Sequence, residues 1–148
     1  EIRGGEALDL LQALNTGHAG SMSTIHANSA RDCLSRLETC SLLSGIDIPL
    51  SALRGQVAAA IDVVVHTARL SDGSRKITAV SEVLGLKDGE YVMQDLYLYN
   101  VLGIGPDGSL DGVFTGTGHK PTFLRDAHLR KLPLDESTFD LAPGVQLD

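Results

Sequence analysis

Two Asp-Gly dipeptides, Asp72-Gly73 and Asp88-Gly89, constrain the fold of this chain more than any other feature of its sequence. Dipeptides of this kind favour the tight turns of β-hairpins. They separate three runs rich in β-branched and aromatic residues, at 63–69, 75–86 and 91–101. We therefore predict an antiparallel meander of three strands joined by two tight turns.

The sequence before the first of these turns has a helical pattern instead. Apolar residues spaced at i, i+3, i+4 and i+7 predict a helix over residues 6–15. Ser29 opens a Ser-x-x-acid pattern that predicts the start of a second helix, and Pro49 suits the first position of a third. Short runs at 21–26 and 62–67 predict strands. This order of elements suggests an α/β sheet with crossovers.

After the meander the chain is rich in glycine up to residue 118, with a further turn at Pro106-Asp107-Gly108. The tail holds a predicted short helix near residues 123–130. The chain starts on Glu1 rather than Met, which looks like a cut through a larger domain. We expect such a cut to remove the strands that cover the first helices and so to expose apolar surface.

Composition excludes some classes of protein. The net charge of −7 argues against direct nucleic-acid binding, which usually needs a basic face. The longest aliphatic stretch, residues 57–65, contains Asp62 and is too short to cross a bilayer. Aromatic residues make up only 4% of the chain, so we expect a core of Leu, Val, Ile and Ala. Cys33 and Cys40 do not make a disulfide framework and suit a buried helix face.

The densest group of polar side chains lies at residues 16–28, which read TGHAGSMSTIHAN. Its hydroxyl, amide and imidazole groups are suited to contact an anion, but capping residues around a short strand would give the same composition. His18 and His26 as metal ligands form a weaker alternative, because no Cys or carboxylate accompanies them at the usual spacing. A serine nucleophile beside His26 is weaker still, since no Gly-x-Ser-x-Gly elbow is present. The other histidines, His66, His119 and His128, receive no role.

Two motifs together resemble a known family. Residues 1–7, EIRGGEA, followed by the TGHAGSMSTIHAN segment, resemble the secretion ATPases that power type II and type IV secretion, pili and tight-adherence machines. The segments SARDCLSRLET, AAAIDVVVH and SDGSRKITAVSEVLGL extend the resemblance to about residue 101. The branch that looks most similar is the CpaF type of the tight-adherence systems.

The resemblance implies a set of site residues. Glu1 corresponds to the acid that ends the Walker B strand, acting on the water shell of Mg²⁺, and the segment at 16–28 corresponds to the family's His box. His18 and His26 are then expected to sense or stabilise the γ-phosphate region of ATP. Arg3 is expected to tie the Walker B strand to a neighbouring segment, or to be a simple ion-pair residue. The remaining expected supporting residues are Thr24 and Asn28.

The chain departs from the family pattern at one decisive point. No G-x-x-x-x-G-K-[ST] phosphate loop occurs in it. In the family this loop lies upstream of Walker B, as do the segment supplying the catalytic base and the domain carrying the inter-subunit arginines. The chain is therefore expected to be the C-terminal portion of a motor subunit, without appreciable ATP turnover alone. A non-catalytic regulatory or inactive subunit of such a ring, or a truncated remnant, remains the alternative.

The expected fold is α/β: the C-terminal part of a RecA-like P-loop ATPase domain, an antiparallel β-meander and a short C-terminal tail. The corresponding divisions are residues 1–67, 68–118 and 119–148. By resemblance, the complete subunit uses ATP and Mg²⁺ and forms a hexameric ring. That ring is expected to act on an inner-membrane platform protein from the cytoplasmic face of the membrane.

Overall fold

The computed structural model describes residues 1–18 and 20–147. Ala19, which belongs to the polar segment at 16–28, and Asp148, at the end of the predicted tail, lie outside the described residues. The helices are α1 (Glu6–Asn15), α2 (Ala30–Leu42), α3 (Leu50–Ala60) and α4 (Leu124–Leu129). The strands are β1 (Val63–Arg69), β2 (Arg75–Lys87), β3 (Glu90–Ile104) and β4 (Leu110–Gly116), and a 3-10 turn follows at Glu136–Phe139.

The first three helices begin close to the positions that the sequence predicts. Helix α1 has the predicted bounds. The hydroxyl of Ser29 accepts a hydrogen bond of 3.0 Å from the amide of Asp32, which confirms the predicted cap of α2. Pro49 has an extended backbone, with φ −56° and ψ 133°, so α3 begins one residue later than predicted.

The four strands form one antiparallel sheet in the order β1-β2-β3-β4. Both Asp-Gly turns are confirmed: Gly73, Asp88 and Gly89 all have positive φ, at 82°, 52° and 80°. Tight hairpin turns need this left-handed backbone, which glycine and aspartate accept most readily. The sequence marked the turn at 106–108 but missed β4, which pairs with β3 from Tyr97 opposite Gly116 to Ile104 opposite Leu110.

The predicted strand at residues 21–26 is wrong. Only Ile25 forms a β-bridge there, an isolated parallel one with Ile2. Ile25 is also the one partly buried residue of this run, and its neighbours are exposed. A β-strand is stabilised by a paired ladder and a buried face, and this segment has one bridge and one inward side chain. The prediction of a sheet with crossover connections is therefore also wrong, because the regular strands are antiparallel.

The described residues cluster into two compact units. Unit 1 comprises Glu1–Val64 and Val83–Met93. Its helices α1, α2 and α3 contact one another and enclose an aliphatic core. That core agrees with the expected Leu- and Val-rich interior and contains Leu8, Leu11, Leu34, Cys40, Leu53 and Val57. Cys33 packs against it partly buried, and burial raises the pKa of its thiol.

Unit 2 comprises Val65–Glu82 and the described residues from Gln94 onward. Its smaller core contains Phe139, and Tyr97 packs against it. The rings of Tyr97 and Phe114 stack with centroids 5.3 Å apart, and Phe139 lies 5.5 Å from Tyr97. The buried carboxylate of Glu82 accepts hydrogen bonds from the Thr122 amide at 3.0 Å and from the Gln94 side chain at 2.6 Å. These bonds offset the cost of burying its charge.

Several large apolar side chains are exposed in unit 1. They lie around the end of α2 and the start of α3: Leu42, Leu43, Ile46 and Leu50.

We predict that Leu53→Ala destabilises the chain and that Leu50→Ala in the same helix does not. Leu53 is 0% exposed, so its truncation leaves a cavity that costs about 2–5 kcal/mol of unfolding free energy. Leu50 is 46% exposed, so its truncation is expected to cost less than about 0.5 kcal/mol. Chemical denaturation followed by circular dichroism measures both. Equal shifts of the two midpoints would contradict the packing described for α3.

Candidate functional site

One backbone contact in unit 1 brings the two sequence motifs together. The amide of Ile2 donates a hydrogen bond of 2.7 Å to the carbonyl of Thr24, and Ile2 forms a parallel bridge with Ile25. Ile2 is buried, and Ile25 packs against the same core. Successive side chains of an extended segment point to opposite sides. Burying these two isoleucines therefore turns the flanking residues Glu1, Arg3, Thr24 and His26 to the exposed side.

Glu1 is the centre of a charged cluster on that exposed side. Its Oε2 lies 2.5 Å from Nη2 of Arg3, and its Oε1 lies 2.8 Å from Nδ1 of His26. The side chains of Arg3 and His26 are 77% and 85% exposed, whereas that of Glu1 is 28% exposed. The carboxylate therefore lies between two more exposed partners: one oxygen accepts a hydrogen bond from Arg3, and the imidazole of His26 lies close to the other.

The electrostatics of the cluster favour the ionised acid. The hydrogen bond from Arg3 lowers the pKa of Glu1 below its ordinary value, and the charges of Arg3 and His26 act in the same direction. The arrangement therefore holds a carboxylate and an imidazole in contact at an exposed position.

The other predicted site residues lie outside this cluster. His18 follows the end of α1, where its Nδ1 lies 3.2 Å from the carbonyl of Ala13. Within residues 1–18 and 20–147, no hydrogen bond or ion pair joins His18 to Glu1 or His26. Thr24 contributes its carbonyl to the contact with Ile2, and its side chain is exposed. Asn28 is exposed and directly precedes Ser29, the cap of α2.

Arg3 pairs with Glu1 inside its own segment, whereas the resemblance led us to expect a link to a neighbouring one. Its guanidinium bonds the carboxylate two residues before it, which is the simple ion-pair role left open by the sequence.

The histidines without a predicted role have local partners. His66 on β1 lies 2.7 Å from the hydroxyl of Thr78 on β2, and Nε2 of His128 lies 2.9 Å from the carbonyl of Leu134. Nδ1 of His119 lies 3.2 Å from the carbonyl of Asp95.

One contact beside the site, made by the side chain of Glu6, was not predicted from the sequence. Oε1 of Glu6 accepts hydrogen bonds from the amides of Arg3 at 2.7 Å and Gly4 at 3.1 Å. The sequence showed only an acid in the first turn of α1, where the helix dipole favours it. An acid three residues after Arg3 indicates such a bond only if the chain is known to turn between the two residues.

A complete metal site is not present in the part of the chain that the structure describes. No group of three or more His, Cys, Asp or Glu side chains there is arranged to hold an ion. Mg²⁺ in nucleotide sites keeps several waters and takes one or two carboxylates together with substrate phosphates. One exposed carboxylate fits that pattern as a contributor, and Glu1 is the residue of this cluster that would hold the ion, through water.

The geometry thus defines an α/β protein whose acid, arginine and histidine meet where two motifs are joined by a parallel bridge. The family model described as "Type II/IV secretion system protein" matches residues 1–94, which include both motifs. The chain belongs to this family of type II/IV secretion system proteins.

Curated proteins similar to the chain carry names from the same field. A conjugal transfer protein of Mycobacterium tuberculosis (strain H37Rv) is 43% identical over 81 residues, covering 55% of this chain and 22% of that protein. The type IV secretion system protein PtlH of Bordetella pertussis is 43% identical, covering 51% of this chain and 23% of that protein. VirB11 of Bartonella quintana, also named a type IV secretion system protein, is 33% identical, covering 54% of this chain and 23% of that protein. The chain thus matches about a quarter of the length of these relatives.

Among the described residues, no helix has both the length and the apolar character that crossing a membrane requires.

We predict that Arg3→Ala raises the pKa of Glu1 toward its ordinary value. The hydrogen bond from Arg3 is the main cause of the lowered pKa, so its loss lets the carboxylate take up a proton at higher pH. Arg36→Ala, which removes an exposed arginine from α2, is the matched control and leaves the pKa of Glu1 unchanged. Carboxyl ¹³C titration measures both, and an unaltered Glu1 titration in Arg3→Ala would contradict the pairing.

Proposed function

We propose that this chain is part of an ATPase motor subunit that powers type II or type IV secretion or the assembly of tight-adherence pili. The observation that carries the proposal is the contact between Glu1 and His26 at 2.8 Å. It joins the two motifs on which the resemblance to secretion ATPases rests. Membership of the type II/IV secretion system family supports the proposal.

The chemistry of the cluster suits a supporting role in phosphoryl transfer. That reaction needs a carboxylate near the metal and the attacking water, and donors where negative charge develops on the γ-phosphate. Bound Mg²⁺ would neutralise phosphate charge. Glu1, kept ionised by Arg3, supplies the carboxylate, and His26 supplies an imidazole next to it. Because the two side chains are in contact, a change at the phosphates that moves Glu1 is passed to His26.

The remaining site residues have secondary parts in this proposal. His18, the other histidine of the His box, lies at the end of α1 and senses the γ-phosphate region from there. Thr24 and Asn28 support the nucleotide side of the site as polar groups, together with Arg3.

The finer assignments follow the resemblance. Residues 1–67 form the C-terminal half of a RecA-like ATPase core, residues 68–118 a β-ribbon extension and residues 119–148 a tail. The complete subunit binds ATP and Mg²⁺ and assembles into a hexameric ring at the cytoplasmic face of the inner membrane. There it transmits motion to a platform protein. The CpaF type rests on the sequence resemblance, whereas the matched relatives are named for conjugal transfer and type IV secretion.

We predict that Glu1→Gln in the complete gene product containing this chain lowers Mg²⁺-ATP hydrolysis at least about a hundredfold, as expected when one preorganised electrostatic group of a site is lost. The amide keeps the shape of the side chain and removes its charge. Glu136→Gln, a change in the exposed first turn of the 3-10 segment, is the matched control and retains wild-type turnover. Steady-state phosphate release measures all three proteins. Unchanged hydrolysis in Glu1→Gln would refute the role given to Glu1.

We also predict that a protein consisting of residues 1–148 alone neither hydrolyses ATP appreciably nor binds it at micromolar concentration. The sequence contains no phosphate-binding G-x-x-x-x-G-K-[ST] loop, so most of the donors that cradle the β- and γ-phosphates are missing. Isothermal titration calorimetry with Mg²⁺-ATP measures the binding. A micromolar dissociation constant would show that these residues form a phosphate site of their own.

A further inference from the structure

The segment that carries Glu1 and Arg3 is held by Glu6, an acid of the first motif that was not among the expected site residues. One carboxylate oxygen of Glu6 accepts both the Arg3 amide, at 2.7 Å, and the Gly4 amide, at 3.1 Å. Both amides precede α1, which begins at Glu6 itself. These bonds therefore do not cap the helix but fold the preceding segment back onto its first residue.

Glu6 is well anchored for this purpose. The next two residues, Ala7 and Leu8, are buried in the core of unit 1. The residue before it, Gly5, lies so close to the end of α2 that a Cβ there would come within 2.8 Å of the Ser44 Cα. The backbone on both sides of Glu6 is thus closely packed against the rest of the unit.

Two hydrogen bonds and one close contact form a continuous series toward the site. Glu6 holds the backbone of Arg3, the guanidinium of Arg3 holds Oε2 of Glu1, and Oε1 of Glu1 contacts His26. We propose that Glu6 is a positioning residue, which orients Glu1 by fixing the backbone from which Arg3 reaches it. The inference rests on the proposed function, because it concerns how the acid of that site is held.

A role limited to the helix dipole makes different predictions. Any acid in the first turn of α1 would serve the dipole equally, and Asp9 is such an acid. Only Glu6 bonds the amides of Arg3 and Gly4. A glutamine at this position keeps an oxygen acceptor of nearly the same geometry, so it separates the effect of the hydrogen bonds from that of the charge.

The test compares Glu6→Ala, Glu6→Gln and the control Asp9→Ala in the complete gene product containing this chain. Residue-resolved hydrogen–deuterium exchange reports the Arg3 and Gly4 amides, and ATP hydrolysis gives kcat and KM. We expect Glu6→Ala to speed exchange at both amides and to lower kcat about tenfold, with KM for Mg²⁺-ATP within about twofold of wild type. Glu6→Gln retains most of the protection and of kcat, and Asp9→Ala matches wild type in both measurements.

A double-variant cycle tests the route through Arg3. If Glu6 acts only through Arg3, Arg3→Ala with Glu6→Ala loses no more kcat than Arg3→Ala alone. Fold-losses that multiply would overturn the proposal. So would unaltered exchange at Arg3 and Gly4 in Glu6→Ala, or an Asp9→Ala variant as impaired as Glu6→Ala.

Failure of the proposed function itself gives a different result. In that case the unaltered gene product hydrolyses no ATP, or Glu1→Gln hydrolyses it as fast. Amide exchange at Arg3 and Gly4 then decides by itself whether Glu6 holds this segment, because that measurement does not depend on turnover.

Discussion

The arrangement of the site depends on one parallel backbone contact, between Ile2 and Ile25. The hydrogen bond from the Ile2 amide to the Thr24 carbonyl sets the register of two segments that are distant in sequence. Burial of Ile2 then decides which side chains face outward. A shift of one residue in either segment would bury a charged or polar group in place of an isoleucine. The aliphatic core of unit 1 thereby determines that Glu1 and His26 meet.

The polar contacts built on that register contribute orientation more than stability. Exposed ion pairs add little to the free energy of unfolding, because water and salt screen them. Arg3 and His26 are both largely exposed, so their contacts with Glu1 matter mainly for where the carboxylate points. The bonds from the amides of Arg3 and Gly4 to Glu6 restrict the backbone behind that carboxylate. A charged group held in this way is suited to act on a bound partner without rearranging first.

The family match and the division of the structure end at nearly the same place. The model of the type II/IV secretion system family covers residues 1–94, and the last stretch of unit 1 is Val83–Met93. The residues from Gln94 onward belong to unit 2, with its own aromatic core around Tyr97 and Phe139. The candidate site therefore lies in unit 1, and the matched region covers that whole unit and Val65–Glu82 of unit 2, while most of unit 2 lies beyond it.

The sequence by itself determined the local features of this protein. Helix α1, the Ser29 cap of α2 and both Asp-Gly turns follow from side-chain spacing and from backbone preferences of single residues. The motifs around Glu1 and His26 were visible for the same reason, as short patterns in the linear sequence. The strand predicted at 21–26 failed, because whether an extended run becomes a strand depends on neighbours that its own residues do not specify.

Only the tertiary structure decided which of these features meet. Local patterns contain no information on a 2.7 Å contact between the amide of Ile2 and the carbonyl of Thr24, or on β4 pairing with β3. The same limit applies to the site. The sequence nominated Glu1, Arg3, His18 and His26 together, but packing of the core brought three of them into contact and left His18 at the end of α1. Glu6 became visible only because the chain folds back on it, which is a property of the packed backbone.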